Sequence, residues 1–186
     1  MIGNGNLCME SFSNFSPSKN YKEEAIDETG IRKVDLGIVH TCNLVSMNLA
    51  EVSREELEEI TSIAVRILDN TIDLTQTPIL ESDRHNSLYR TIGVGTMGLA
   101  DYMAREFMIY EDSLDEIDKL YEEIALYTLK ASALLAKDRG AYSYFKDSMW
   151  DKGIFFQKDR AWYEQNSDFA EKWSEVFDLV AQYGLR

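Results

Sequence analysis

Asn6-Leu7-Cys8-Met9-Glu10 sets an amide, a thiol and a carboxylate at alternate positions. On an extended backbone, residues two apart point to the same side, roughly 6–7 Å from each other. One nucleotide-sized ligand would then meet all three side chains together. The only other cysteine, Cys42, stands in His40-Thr41-Cys42-Asn43-Leu44. Two thiols, one beside a candidate base, point to redox or radical chemistry more than to packing. Free cysteine is also among the most buried residue types and often behaves as a small hydrophobe. The spacing of Asn6, Cys8 and Glu10 by itself leaves both readings open.

Composition narrows the classes. The 186 residues are one domain's length, enough for a real core. Apolar residues make up 45% and aromatics 11%, which excludes a chain disordered by composition. The net charge of −14 argues against DNA, RNA or an anionic membrane as a bulk partner. A mononucleotide needs only a local pocket and stays open. No run of 18 apolar residues occurs, so no membrane span is expected, and no signal peptide is visible. Two cysteines in a signal-free chain fit a reducing, cytoplasmic setting, where a thiol pair is more often catalytic than structural. His40 and His85 are far apart and no C-x-x-C or H-x-x-x-H occurs, so no metal site is expected.

Along the chain, residues 1–15 read as an extended or looped opening and the polar stretch 16–33 as an exposed connector. Val34 to Cys42, β-branched and apolar with Gly37 inside, reads as a strand. Helix signals follow. Ser53-Arg54-Glu55-Glu56 is a capping box, and Leu57, Ile60, Ala64, Ile67 and Leu68 recur at helical spacing. Thr75 to Asn86, with Pro78, reads as a loop, and Ile92 to Arg105 as a glycine-rich lead into a helix. Ser113-Leu114-Asp115-Glu116 is a second capping box. It opens an amphipathic helix carrying Ile117, Leu120, Ile124, Leu129, Ala133 and Ala136 that stops at Gly140. Residues 141–166 are aromatic-rich and irregular. Ser167 is placed to cap a last helix presenting Ala170, Trp173, Phe177 and Val180 and stopping at Gly184. The fold class is helix-rich α/β, with too few strands for a self-contained sheet.

Three motifs draw tempting readings. Gly93-Val94-Gly95-Thr96-Met97-Gly98 fits G-x-G-x-x-G by letter, but a dinucleotide site needs a βαβ unit and an acidic residue ending a second strand. Asp112 to Asp118 lies at about the right distance yet opens a helix, so the glycines are read as letting a strand turn into a closely packed helix. The aromatic set from Tyr142 to Tyr163 lacks basic interleaving, which makes packing the better reading than base stacking. His40 and Cys42 suggest a nucleophilic pair, but no third orienting group is identifiable.

Five stretches together resemble one family. Asn6-Leu7-Cys8-Met9-Glu10 is similar to the finger-loop motif of the large, catalytic subunit of ribonucleotide reductase. Cys42-Asn43-Leu44-Val45-Ser46-Met47-Asn48-Leu49 resembles the family's next landmark, which carries one redox cysteine. Arg90 to Asp101, Ala136 to Tyr142 and the terminal Tyr183-Gly184-Leu185-Arg186 resemble three more, in family order. The resemblance implies a partial ten-stranded α/β barrel of the ribonucleotide reductase and glycyl-radical type. Residues 1–186 would be a single fragment of the catalytic barrel domain, with the finger-loop motif in 1–15, the connector in 16–33, and barrel strands and helices over 34–186.

The resemblance also implies roles. Cys8 would become a thiyl radical that abstracts the ribose 3′-hydrogen. Glu10 would be the general base on the 3′-hydroxyl, and Asn6 would hydrogen-bond the ribose. Asn6, Leu7, Cys8, Met9 and Glu10 together would line the substrate. Cys42 would be one of two thiols that reduce the substrate and end as a disulfide, its partner lying upstream of Met1. The implied substrate is a ribonucleoside diphosphate. Leu7 resembles the class I branch, whose radical comes from a metal-bearing small subunit, more than the cobalamin-dependent branch, which more often has proline there. Thioredoxin or glutaredoxin would be the reductant, and the remaining parts of the large subunit would complete the barrel. No residue here is a candidate for holding metal or cobalamin, and the fragment alone is expected to be inactive. The alternative is a non-catalytic helical subunit of a split reductase, acting through association.

Overall fold

In a computed structural model, which describes residues 15–19 and 35–186, the elements run β1 (Asn43–Asn48), α1 (Leu57–Leu74), α2 (Leu80–Tyr89), β2 (Ile92–Met97) and α3 (Leu99–Arg105). After one 3-10 turn at Tyr110–Asp112 come α4 (Leu114–Arg139), β3 (Ile154–Phe155), β4 (Lys158–Asp159), α5 (Arg160–Asn166) and α6 (Ala170–Tyr183). β1 and β2 are parallel, from Asn43 opposite Ile92 to Asn48 opposite Met97. Parallel neighbours need a long crossover, which α1 and α2 supply. Alternation along β1 turns Val45 and Met47 inward and leaves Leu44 and Ser46 exposed. β3 and β4 make a short antiparallel hairpin. Among the described residues the strands close no barrel, and the architecture is helix-rich α/β.

The core lies where α4 meets α1 on one side and α6 on the other. Leu57, Ala64, Leu120, Ile124, Trp173, Val176 and Val180 are buried there, each side chain larger than alanine contributing roughly 1.5–3 kcal/mol. The 3.6-residue periodicity predicted all three helices, and α4 and α6 stop at Gly140 and Gly184 as expected. The Ser53 capping box forms on one side: the Glu56 carboxylate accepts from Ser53 N (3.1 Å) and from the Ser53 hydroxyl (2.8 Å). Ser113 makes no side-chain cap. The Ser167 hydroxyl accepts from Phe169 N at 2.9 Å, one residue before α6.

Three expectations are corrected. The strand falls at Asn43–Asn48, not at Val34 to Cys42. In the described part of that stretch, residues 35–42, only isolated antiparallel bridges form, Ile38 with Ser16 and Asp35 with Lys19. The expected loop from Thr75 to Asn86 contains most of α2. The irregular stretch 141–166 holds the hairpin and α5, whose first turn is capped by Asp159 accepting from Trp162 N at 2.9 Å. Its aromatics build the chain's own core: Phe155 stacks on Phe177 (4.1 Å between centroids), and Tyr163 lies 4.2 Å from Trp173. No helix among the described residues is long and apolar enough to cross a membrane.

Candidate functional site

Asn6, Leu7, Cys8, Met9 and Glu10 lie outside the described residues. Cys42 lies within them, half-buried, with a free thiol, one residue before β1. The segment around it runs against α2. Val39 N donates to Glu81 O at 3.2 Å. His40 Nδ1 and His85 Nε2 are 3.3 Å apart, with the rings edge to face. Asn43 Nδ2 donates both to Asn86 Oδ1 (3.1 Å) and to Thr91 O (3.0 Å), which joins the start of β1 to the approach to β2. Between these contacts, the Thr41 hydroxyl is buried without a hydrogen-bond partner.

His85 is fully buried and stacks on Tyr89 at 5.1 Å. Burial, and then the neighbouring His40, push its pKa down to about 4. Burial also lowers that of His40. Both shifts favour the neutral rings, and the tautomer sets which nitrogen donates across the pair. No hydrogen bond joins Cys42 to His40 among the described residues. The arrangement therefore lacks the activated Cys–His pair of a hydrolase. A partly accessible free thiol of this kind suits exchange with another sulfur.

The glycine motif is divided between two elements. Gly93 and Gly95 sit inside β2, facing Leu44 and Ser46 across the parallel pair, and a Cβ on Gly93 would lie 2.4 Å from Leu44 Cδ2. Gly98, at φ 75°, makes the turn into α3, as the sequence reading expected. No phosphate-cradling loop is formed from the first two glycines.

A second cluster was not anticipated. Asp69, buried on α1, meets Arg90 in a close ion pair. It also accepts from Arg139 Nη1 (2.5 Å) and Arg186 Nε (3.0 Å), while its backbone carbonyl accepts from Arg90 Nη2 (3.0 Å). Arg90 Nη1 reaches Asp73 Oδ1 at 2.7 Å. Burial works to raise the Asp69 pKa, but the hydrogen bonds and charges of Arg90, Arg139 and Arg186 together outweigh it and hold the carboxyl below its ordinary range. Arg90, Arg139 and Arg186 come from three of the five family-like stretches. Asp69 carried its own signal, four residues after Val65 and three before Ile72, in the buried stripe of α1. Arg90 and Arg186 also border a largely apolar cavity of about 480 Å³ between β2, α4 and the aromatic segment.

The family model described as ribonucleotide reductase, barrel domain, matches residues 1–186. The chain is 40% identical over 182 residues to the ribonucleoside-diphosphate reductase subunit alpha of a Synechocystis strain, covering 97% of this chain and 21% of that protein. Identity to the protein of the same name from Chlamydia pneumoniae is 34% over 198 residues, covering 97% and 17%. For the one from Treponema pallidum it is 32% over 191 residues, covering 97% and 22%. The chain thus spans about a fifth of the length of these curated relatives.

Proposed function

Because the chain belongs to the ribonucleotide reductase barrel-domain family, we propose that it supplies the reacting thiols of a large, catalytic subunit that reduces ribonucleoside diphosphates to 2′-deoxyribonucleotides for DNA synthesis. The observation that carries this reading is the extent of the match, which takes in both cysteine motifs. The free, half-buried thiol of Cys42 at the start of a core strand supports it.

In this reading a Cys8 thiyl radical removes the 3′-hydrogen atom, so that an S–H bond forms as C3′–H breaks. Glu10 accepts the 3′-hydroxyl proton and later returns it, while the 2′-hydroxyl takes a proton from the redox thiol pair and leaves as water. Asn6 orients the ribose as both donor and acceptor without adding charge. Cys42 and a second thiol supply two electrons and end as a disulfide. Cys8 then returns the hydrogen to C3′ and is again a thiyl. A dithiol protein, thioredoxin or glutaredoxin, restores the pair by exchange. The radical originates on a metal-bearing small subunit, the remaining large-subunit segments complete a ten-stranded barrel around the finger loop, and the enzyme works in the cytoplasm.

The test is made in a large subunit carrying this segment, with a ribonucleotide tritiated at C3′. Cys8→Ser abolishes both deoxynucleotide formation and tritium release. Cys42→Ser abolishes deoxynucleotide formation but leaves tritium release. Deoxynucleotide formation retained in either variant overturns that residue's assignment.

A further inference from the structure

We propose that His85 and Asn86 of α2 are positioning residues that hold the Cys42 segment from both sides of the thiol. The proposal rests on the reading of Cys42 as a redox thiol. α2 touches this segment at Val39, His40 and Asn43, that is, at three, two and one residues from Cys42, on both flanks. The two side-chain contacts come from adjacent helix residues, so one rigid turn fixes both. Asn43 is bound twice, to Asn86 Oδ1 and to Thr91 O, which leaves its backbone little freedom where β1 begins.

The helix itself is unusual for a packing element. Its buried residues are Ser82, His85 and Asn86, all polar. Apolar side chains would cover the same surface without the cost of desolvating an imidazole and an amide. A polar buried face is explained by what it grips. Exchange between sulfurs requires the attacking, central and leaving atoms to come into line, so a thiol whose flanking residues are both held meets its partners in one geometry.

The chain is alkylated with iodoacetamide, and modification of Cys42 and Cys8 is followed separately by peptide mass spectrometry. Asn86→Leu removes the acceptor for Asn43, and Cys42 is expected to react about tenfold faster while Cys8 is unchanged, the opening that loss of one ordinary hydrogen bond permits. Asn86→Asp keeps an acceptor oxygen in place and returns Cys42 to within about twofold of the parent rate. His85→Gln, which removes the ring pair, gives the same selective rise as Asn86→Leu. An unchanged Cys42 rate in Asn86→Leu overturns the proposal, as does a rise shared by both cysteines or a failure of Asn86→Asp to restore the parent rate. These rates do not depend on turnover. Deoxynucleotide formation retained in Cys42→Ser would overturn the redox reading while leaving the alkylation result standing.

Discussion

Asp69 is one carboxylate facing three guanidinium groups, with Asp73 sharing two of them. Removing it leaves buried Arg90 with its main counter-charge gone. Asp69→Ala should therefore lose roughly 3–5 kcal/mol of unfolding free energy, the range for breaking a buried ion pair, as read by urea denaturation. Two groups shape the acid limb of stability. The depressed Asp69 pKa gives stability that is present above the ordinary carboxylate range and is lost as pH falls through the folded value. His85, lowered from 6.5 to about 4, binds its proton in the unfolded chain first. Its effect is a decline in stability as pH falls from 6.5 through about 4, with a ceiling on the order of 3 kcal/mol. Denaturation curves between pH 7 and pH 4 should show this early decline, and His85→Gln should flatten it; an unaltered slope would assign it elsewhere. The three arginines were visible within stretches already singled out, but not their convergence. Their common partner lies 21, 70 and 117 residues away, and it takes the end of α2, the packing of α4 on α1 and that of α6 on α4 to bring them together.

At the scale of elements, Gly184 closes α6 at φ 76°, ψ −159°, a region that side chains avoid. A Cβ there would sit 2.7 Å from Ala141 Cβ and 3.1 Å from Phe145 Cδ1. Gly184→Ala combines strain with overpacking and should cost about 2–4 kcal/mol, seen as a lowered melting temperature. The following residues would lose their seat, in which Leu185 O accepts from Tyr142 N (2.8 Å) and Arg186 N meets Ser132 Oγ (3.0 Å). This glycine and the amphipathic stripes of α1, α4 and α6 were legible because periodicity and termination are local signals. α2 was not, since Ser82, His85 and Asn86 form its buried face and leave no apolar rhythm to detect. The strand was misplaced for a related reason. Val34, Ile38 and Val39 have the propensity, but pairing with β2 selects Asn43–Asn48, whose first residue, Asn43, is held by α2 and Thr91. The Cys42 site was thus legible as a motif, while the helix that holds it was not.

For the molecule as a whole, a net charge of −14 means self-repulsion that the buried arginine cluster relieves only locally. Raising salt from about 20 mM to about 200 mM shortens the screening length from roughly 20 Å to roughly 7 Å and should raise the melting temperature. A fall on adding salt would mean that surface ion pairs such as Arg160 with Asp178 outweigh the repulsion. The arginine cluster also imposes an order in time. During synthesis at about 5–20 residues per second, Asp69 leaves the ribosome roughly 6–23 s before Arg186, given their separation of 117 residues. Arg90 follows within about 1–4 s, so the β1–α1–α2–β2 unit meets its first cation early, while the seal over α1 waits for α4 and α6 to be made. The nascent chain therefore acquires this cluster in instalments, and the Arg186 pair reports that α4 and α6 have been made and seated.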